Sequence, residues 1–198
     1  MTAPARAPTQ NLIMKVFSSE IPGILILEPQ FFNDHRGFVF EFFQAENYRK
    51  HGIGQSPFVQ DNLCHSAANV IRGLHLQNPS LQGKLVSVLR GRVLDVVVDV
   101  RVGSPHYGRH VSTELSDENR RQVWVPRGFA HGFAVLSESA EVFYKCDNRY
   151  NPEDEITIRW NDPAIGIRWT IKDPVLNDRD ANAPLLSEIT NLPVYGQP

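Results

Sequence analysis

The sequence predicts an all-β fold, an antiparallel sandwich or barrel with few short helices. Three observations predict it. Short runs rich in Val, Ile and Phe recur at fairly regular spacing, each bounded by Gly, Pro, Asn or Asp. The run from Lys84 to Arg101, "KLVSVLRGRVLDVVVDVR", breaks at Arg90-Gly91-Arg92, a turn signal between two strands. Its second half alternates with period two: Leu94, Val96, Val98 and Val100 share one parity, and Val93, Asp95, Val97, Asp99 and Arg101 the other.

Taken in order, the strand candidates are "GILILEP" from Gly23, "GFVFEFF" from Gly37, the two halves of the valine-rich run, "RHVSTEL", "RQVWV", "GFAVL", "AEVFYKCD" and "EITIRW". Helical periodicity is scarce; "AENYRKHG" is expected to form a short helix and Asp117–Arg120 a helical turn. The Ala/Pro/Thr-rich start has no apolar core of a secretory signal and reads as a flexible arm over residues 1–13. Residues 14–187 are expected to form a single domain. Its last part, polar and proline-interrupted from Asp173, packs over the sandwich, and residues 188–198 form a tail.

The bulk numbers bound the function. The 198 residues suffice for one domain, and 41% are apolar, enough for a sizeable core. A net charge of −2 gives no broad basic surface for nucleic acid. No apolar run reaches the roughly 18 residues that a membrane span needs. The two cysteines, Cys64 and Cys146, have no CxxC spacing and are too few for a disulfide framework. They read as reduced core or pocket residues of a cytoplasmic protein.

The chemistry concentrates around "RGLHLQ", Arg72–Gln77, and "QGK", Gln82–Lys84. Of the seven histidines, His51, His106 and His110 sit among polar neighbours and read as solvated. His75 and His131 lie in Gly-containing stretches at strand boundaries. Pro126, Gly128 and His131 have a spacing that resembles the second motif of cupins. The matching first motif requires His-x-His and a carboxylate. Here His75-Leu76-Gln77 puts an amide at the second ligand position and no Glu follows within five residues, so a metal site is disfavoured.

An acid–base reading fits better. An imidazole in an apolar barrel serves as a base near neutral pH when a carboxylate orients its other nitrogen. Glu41, Asp61, Asp95, Asp99, Asp178 and Asp180 are all candidates for that carboxylate, and composition does not choose among them. Tyr144 shares parity with Val142 and Cys146, which points its ring inward as a candidate acid or a core aromatic. Arg72 suits a phosphate or carbonyl oxygen, and Lys84 a developing oxyanion.

Nine segments in order resemble the dTDP-4-dehydrorhamnose 3,5-epimerase family: "DHRGFVFEFF", "FVQDN", "RGLHLQ", "QGKLV", "GRVLDVVVDVR", "GSPHYG", "WVPRGFAHGF", "YKCDNRYNPEDE" and "DRDANAPLL". The resemblance implies a cupin-type double-stranded β-helix, or jelly roll. It implies a homodimer without metal or organic cofactor, acting on a dTDP-linked sugar on the route to dTDP-L-rhamnose. Carried over by motif, His75 is the base, Asp180 its partner with Asp178 as the alternative, Tyr144 the acid, and Lys84 the enolate stabiliser. The implied substrate-binding set is Arg36, Glu41, Gln60, Asn62, Arg72, Lys84, His131, Glu155 and Arg179. Two other expectations stand beside it: a related enzyme inverting one carbon only, and a non-catalytic cupin that binds nucleotide sugars.

Overall fold

The computed structural model describes residues 14–197; the expected arm over residues 1–13 lies outside the described residues. The first strands are β1 (Lys15–Ser18), β2 (Leu25–Glu28), β3 (Phe32–Asp34) and β4 (Gly37–Val39), followed by helix α1 (Ala45–Arg49). Then come β5 (Gln60–Ala67), β6 (Ile71–Gln77), β7 (Lys84–Arg90), β8 (Arg92–Asp99), β9 (His110–Ser116) and β10 (Gln122–Val125). The chain continues through β11 (Phe129–Val135), β12 (Ser139–Cys146), β13 (Glu155–Thr157) and helix α2 (Asp178–Ala181), with two single-turn 3₁₀ segments besides.

The strands build two facing antiparallel sheets and one separate hairpin, the expected jelly roll. One sheet has six strands in the order β1, β2, β10, β7, β12, β5, and the other five in the order β13, β6, β11, β8, β9. Among the described residues, strands β3 and β4 pair only with each other. The turn at Gly91 (φ 79°) is therefore a corner and not a hairpin: it carries the chain from β7 in one sheet to β8 in the other.

Strand alternation accounts for three cores. Between the sheets lie Val86 and Val88 of β7, Val93 and Val97 of β8, Val123 and Val125 of β10, and Phe129, Phe133 and Val135 of β11. The other parity of β8, Val96 and Val98, faces a second core with Ile71, Leu74 and Leu76 of β6, closed by Ile165, Trp169 and Leu186 from the C-terminal segment. The outer face of the six-stranded sheet, with Leu27, Leu85 and Trp124, is covered by Tyr48 of α1 and by Ile53. The charged parity of β8 is thus as buried as the apolar one: Asp95 and Asp99 are 1% and 0% exposed. Asp99 accepts from the Arg101 guanidinium and the Ser104 hydroxyl at 2.6 Å each.

Some expectations are revised. Only Gly37–Val39 of "GFVFEFF" is strand, because Phe40–Phe43 stack in an irregular aromatic run toward α1. His106 and His110 are half-buried, not solvated; His51 is exposed. Residues 188–197, expected as a tail, are docked. The Val102 N–H donates to Pro193 O at 2.8 Å, the Tyr195 N–H donates to Val102 O at 3.0 Å, and Leu192 is buried. The Arg101 guanidinium, 4.1 Å from the Phe129 ring centroid and 4.9 Å from that of Tyr195, holds this end against the sheet.

One irregularity shapes the interior. On β6, regular alternation would turn Arg72 and His75 to opposite faces. The ladder with β11 pairs His131 with His75 but Phe133 with Arg72, so β6 carries one extra residue there. Ile71 and Leu74 both face the outer core, and Arg72 and His75 both face inward. Gly73 (φ 112°) absorbs the change, and it lies against Gly132: a Cβ at Gly73 would stand 2.6 Å from His131 O, and one at Gly132 2.7 Å from Arg72 O. Gly73→Ala should therefore cost about 2–4 kcal/mol and lower Tm by roughly 5–15 °C. Gly103→Ala, also at positive φ but in open space, should cost only about 1–2 kcal/mol. Thermal denaturation of both variants checks the difference.

Candidate active site

The two sheets part at one end around a cavity of about 330 Å³. His75 from the five-stranded sheet and Tyr144 from the six-stranded sheet both line it, from opposing walls. Gln60, Asn62, Arg72, Glu155 and Arg179 complete the expected part of its lining. A larger hollow of about 520 Å³ beneath α1 shares Gln60 but gathers no histidine, and its one cation besides Arg49, Lys145, is already paired with Asp61 at 2.9 Å. Its chemistry does not match that of the inter-sheet cavity.

The imidazole is held by a carboxylate from the C-terminal segment. Asn177 caps α2, its Oδ1 accepting from the Asp180 N–H at 2.7 Å, and this one-turn helix buries Asp180 while leaving Asp178 exposed. His75 Nε2–H donates to Asp180 Oδ1 at 2.8 Å, and the Gly73 N–H donates to Oδ2 at 3.1 Å. Asp180 thus fixes the tautomer that leaves the Nδ1 lone pair free. Burial pushes the Asp180 carboxyl up, but the hydrogen bonds from His75 and Gly73 and the charges of His75 and Arg179 outweigh it and hold it below the usual carboxylate range. Between Asp180 and Asp178, only Asp180 reaches His75.

On the opposite wall, burial pushes the Tyr144 phenol up to about 12, with the neighbouring Cys64 and Cys146 thiols adding to the effect. The hydroxyl therefore keeps its proton across the neutral range. Arg72 is aimed by Ser66, whose Oγ accepts from its Nε at 2.9 Å. At the rim, Arg179 bridges Glu155 and the His75–Asp180 pair: Nη1 donates to Glu155 Oε2, and Nε lies 3.5 Å from Asp180 Oδ1. The Tyr150 hydroxyl donates to the same Glu155 oxygen at 2.7 Å.

Five expected residues do not line the cavity: Asp180, buried behind His75, and four others. Lys84 is half-buried on the inner face of β7, opposite Cys146. Burial pushes its ammonium down from the usual lysine value, against the charges of Cys146, Glu155 and Asp95. His131, 7% exposed, lies beside His75 across the ladder, and its Nε2–H donates to Asp95 Oδ2 at 2.8 Å. Arg36 and Glu41 are elsewhere in the chain, Arg36 at the β3–β4 hairpin paired with Asp34 and Glu41 accepting from Asn47 Nδ2 at 3.0 Å.

Four lining residues were not among the expected site residues: Cys64, Gln82, Phe133 and Tyr150. Gln82 stands in "QGK", and its amide is fastened to Asn148 O at 2.8 Å. The others come from separate strands and a turn, and no spacing in the sequence links them. Among the described residues, no group of three or more His, Cys, Asp or Glu side chains is arranged to hold a metal ion. No helix among them is long and apolar enough to cross a membrane.

Comparison with known proteins places this geometry. A protein of Salmonella typhimurium named dTDP-4-dehydrorhamnose 3,5-epimerase is 49% identical over 178 residues, covering 89% of this chain and 97% of that protein. The crystal structure of the Legionella pneumophila epimerase RmlC in complex with dTDP-4-keto-L-rhamnose superposes with a TM-score of 0.91 at 46% identity, covering 93% of this chain and 100% of that one. ChmJ, a 3'-monoepimerase of Streptomyces bikiniensis crystallised with dTDP-quinovose, superposes at 0.85 with 36% identity, covering 89% of this chain and 92% of that one. The sequence model described as dTDP-4-dehydrorhamnose 3,5-epimerase matches residues 18–188, and the chain belongs to that family.

Proposed function

We propose that the chain epimerises dTDP-4-keto-6-deoxy-D-glucose at C3 and C5 to dTDP-4-keto-L-rhamnose, in the supply of dTDP-L-rhamnose. The single observation that carries the mechanism is the facing pair: a carboxylate-anchored imidazole on one sheet and a protonated phenol on the other, lining one cavity. The hydrogens at C3 and C5 lie alpha to the C4 carbonyl. His75 Nδ1 takes the proton from one face, the C–H electrons form the C=C bond, and the negative charge passes to the carbonyl oxygen. The Lys84 ammonium stabilises that enolate oxygen. Tyr144 then delivers its proton to the carbon from the other face, the enolate reverts to the ketone, and the centre is inverted. Both groups exchange their protons with solvent before the second centre reacts. No net electron transfer occurs at any step.

Arg72, Gln60 and Asn62 on one flank and Arg179 at the rim supply donors for the diphosphate and sugar. The active form is a homodimer. Its support is the β3–β4 hairpin, which pairs with no other strand among the described residues and exposes Phe38 and Val39, the latter by 71%. A two-fold partner would cover that apolar surface and bring the hairpin's Arg36, with Glu41, to the other subunit's cavity.

Proton NMR of the keto sugar in heavy water reads substrate, reaction and number of centres together. Deuterium should enter at both C3 and C5; label at C3 alone would favour single-centre chemistry of the ChmJ kind, and label at neither would refute the proposal. His75→Ala should lower kcat by about 10²–10⁴-fold. Asp180→Asn should lower it by a comparable factor because the imidazole loses its tautomer, whereas Asp178→Asn should stay within about twofold. For the dimer, Arg36→Ala and His75→Ala chains, each inactive alone, should recover activity when mixed into heterodimers, with about half of the heterodimer sites intact. No recovery would place Arg36 outside the partner's site.

A further inference from the structure

Asp95 is a buried carboxylate facing the space between the sheets that the mechanism above does not use. It is 1% exposed and lies on the inner face of β8, in the sheet that carries His75 and His131. Its Oδ2 accepts from His131 Nε2–H at 2.8 Å. Its Oδ1 is the only buried side-chain nitrogen or oxygen among the described residues without a hydrogen-bond partner. Native interiors rarely leave a carboxylate oxygen so exposed to loss of solvation without a compensating charge. Across the interior, on β7 of the opposite sheet, the Lys84 ammonium makes no ion pair and no hydrogen bond among the described residues, and Asp95 is one of the two carboxylates, with Glu155, that act on it. An unpartnered carboxylate oxygen and an unpartnered ammonium thus share one low-dielectric space.

We propose that Asp95 is the positioning residue for Lys84: its Oδ1 keeps the ammonium charged and directed at the space between His75 and Tyr144, while its Oδ2 fixes His131. This inference rests on the assignment of Lys84 as the enolate stabiliser. The groups that bear on Lys84 are Cys146 from β12, Glu155 from β13 and Asp95 from β8; His131 from β11, His75 and Arg72 from β6, Tyr144 from β12, Cys64 from β5, Tyr150 from the segment after β12, and Arg179 with Asp180 from α2 are the other titratable and charged groups around that space. Because burial lowers the pKa of Lys84 and Tyr144 holds its proton to about 12, the alkaline limb of kcat/KM reports Lys84.

The test is Asp95→Asn, which keeps the shape and turns an amide toward the ammonium. The alkaline limb should move about one pH unit toward neutrality, and kcat should fall about tenfold or more with KM little changed. In a Lys84→Met background the same substitution should change kcat by less than about twofold. An unshifted limb, or the full loss of activity in that background, overturns the positioning role. If Lys84→Met is itself fully active, the enolate assignment fails instead, so the two failures are distinct. Should Asp95→Asn not fold, carboxyl-¹³C NMR of the wild-type protein reads the same proposed interaction: the Asp95 carboxyl signal should show an inflection at the pH where Lys84 loses its proton, and a flat signal there overturns the proposal.

Discussion

The Asp180 carboxylate ties together the two features on which the interior depends. One oxygen takes the Gly73 N–H at the extra residue of β6, and the other takes the His75 ring. A regular β6 would send either Arg72 or His75 into the outer core, beside Leu74 and Trp169, where neither charge nor proton transfer has a use. The irregular strand keeps both on the inner face, and its displaced amide is satisfied by the same group that orients the base. Backbone geometry and acid–base chemistry therefore share one anchor, delivered by a single-turn helix whose own start is capped by Asn177.

Around that anchor the two sheets divide the labour. The five-stranded sheet carries His75 on β6 opposite His131 on β11, and Asp95 on β8 diagonal to His131, opposite Phe133. The six-stranded sheet carries Tyr144 on β12 and Lys84 on β7. The inter-sheet core of valines and phenylalanines sets their separation and keeps the medium around them poor in water, which strengthens each charge–charge contact. The jelly roll matters to the chemistry because it offers two rigid, opposed walls, and inversion at carbon needs groups on opposite sides of a sugar ring.

Much of this was legible in the sequence, for identifiable reasons. Period-two alternation and Gly/Pro punctuation marked the strands from β7 to β12, because all of them but the short β10 are seven or eight residues long. The same alternation assigned Val96 and Val98 to one face and Asp95 to the other. It did not show that both faces are buried, since the cover over Val96 and Val98 comes from residues 156–192, whose polar, interrupted pattern carries no periodicity. Asp180 could not be separated from Asp178 by composition; one turn of helix and one asparagine cap decide between them. The rotation at Gly73 was invisible for a related reason, because an extra residue in a strand is defined by its partner, here Gly132, 59 positions away. Gln82, Phe133 and Tyr150 reach the cavity from segments that only the folded topology brings together.

The central claim is that base and acid are separate groups acting from opposite walls, and Tyr144→Phe in heavy water tests it most directly. With the phenol gone and His75 intact, the substrate should still exchange its C3 or C5 hydrogen for deuterium, while inverted product falls by about 10²-fold or more. Inversion continuing at the wild-type rate would mean that Tyr144 is a core aromatic and that the proton returns from elsewhere.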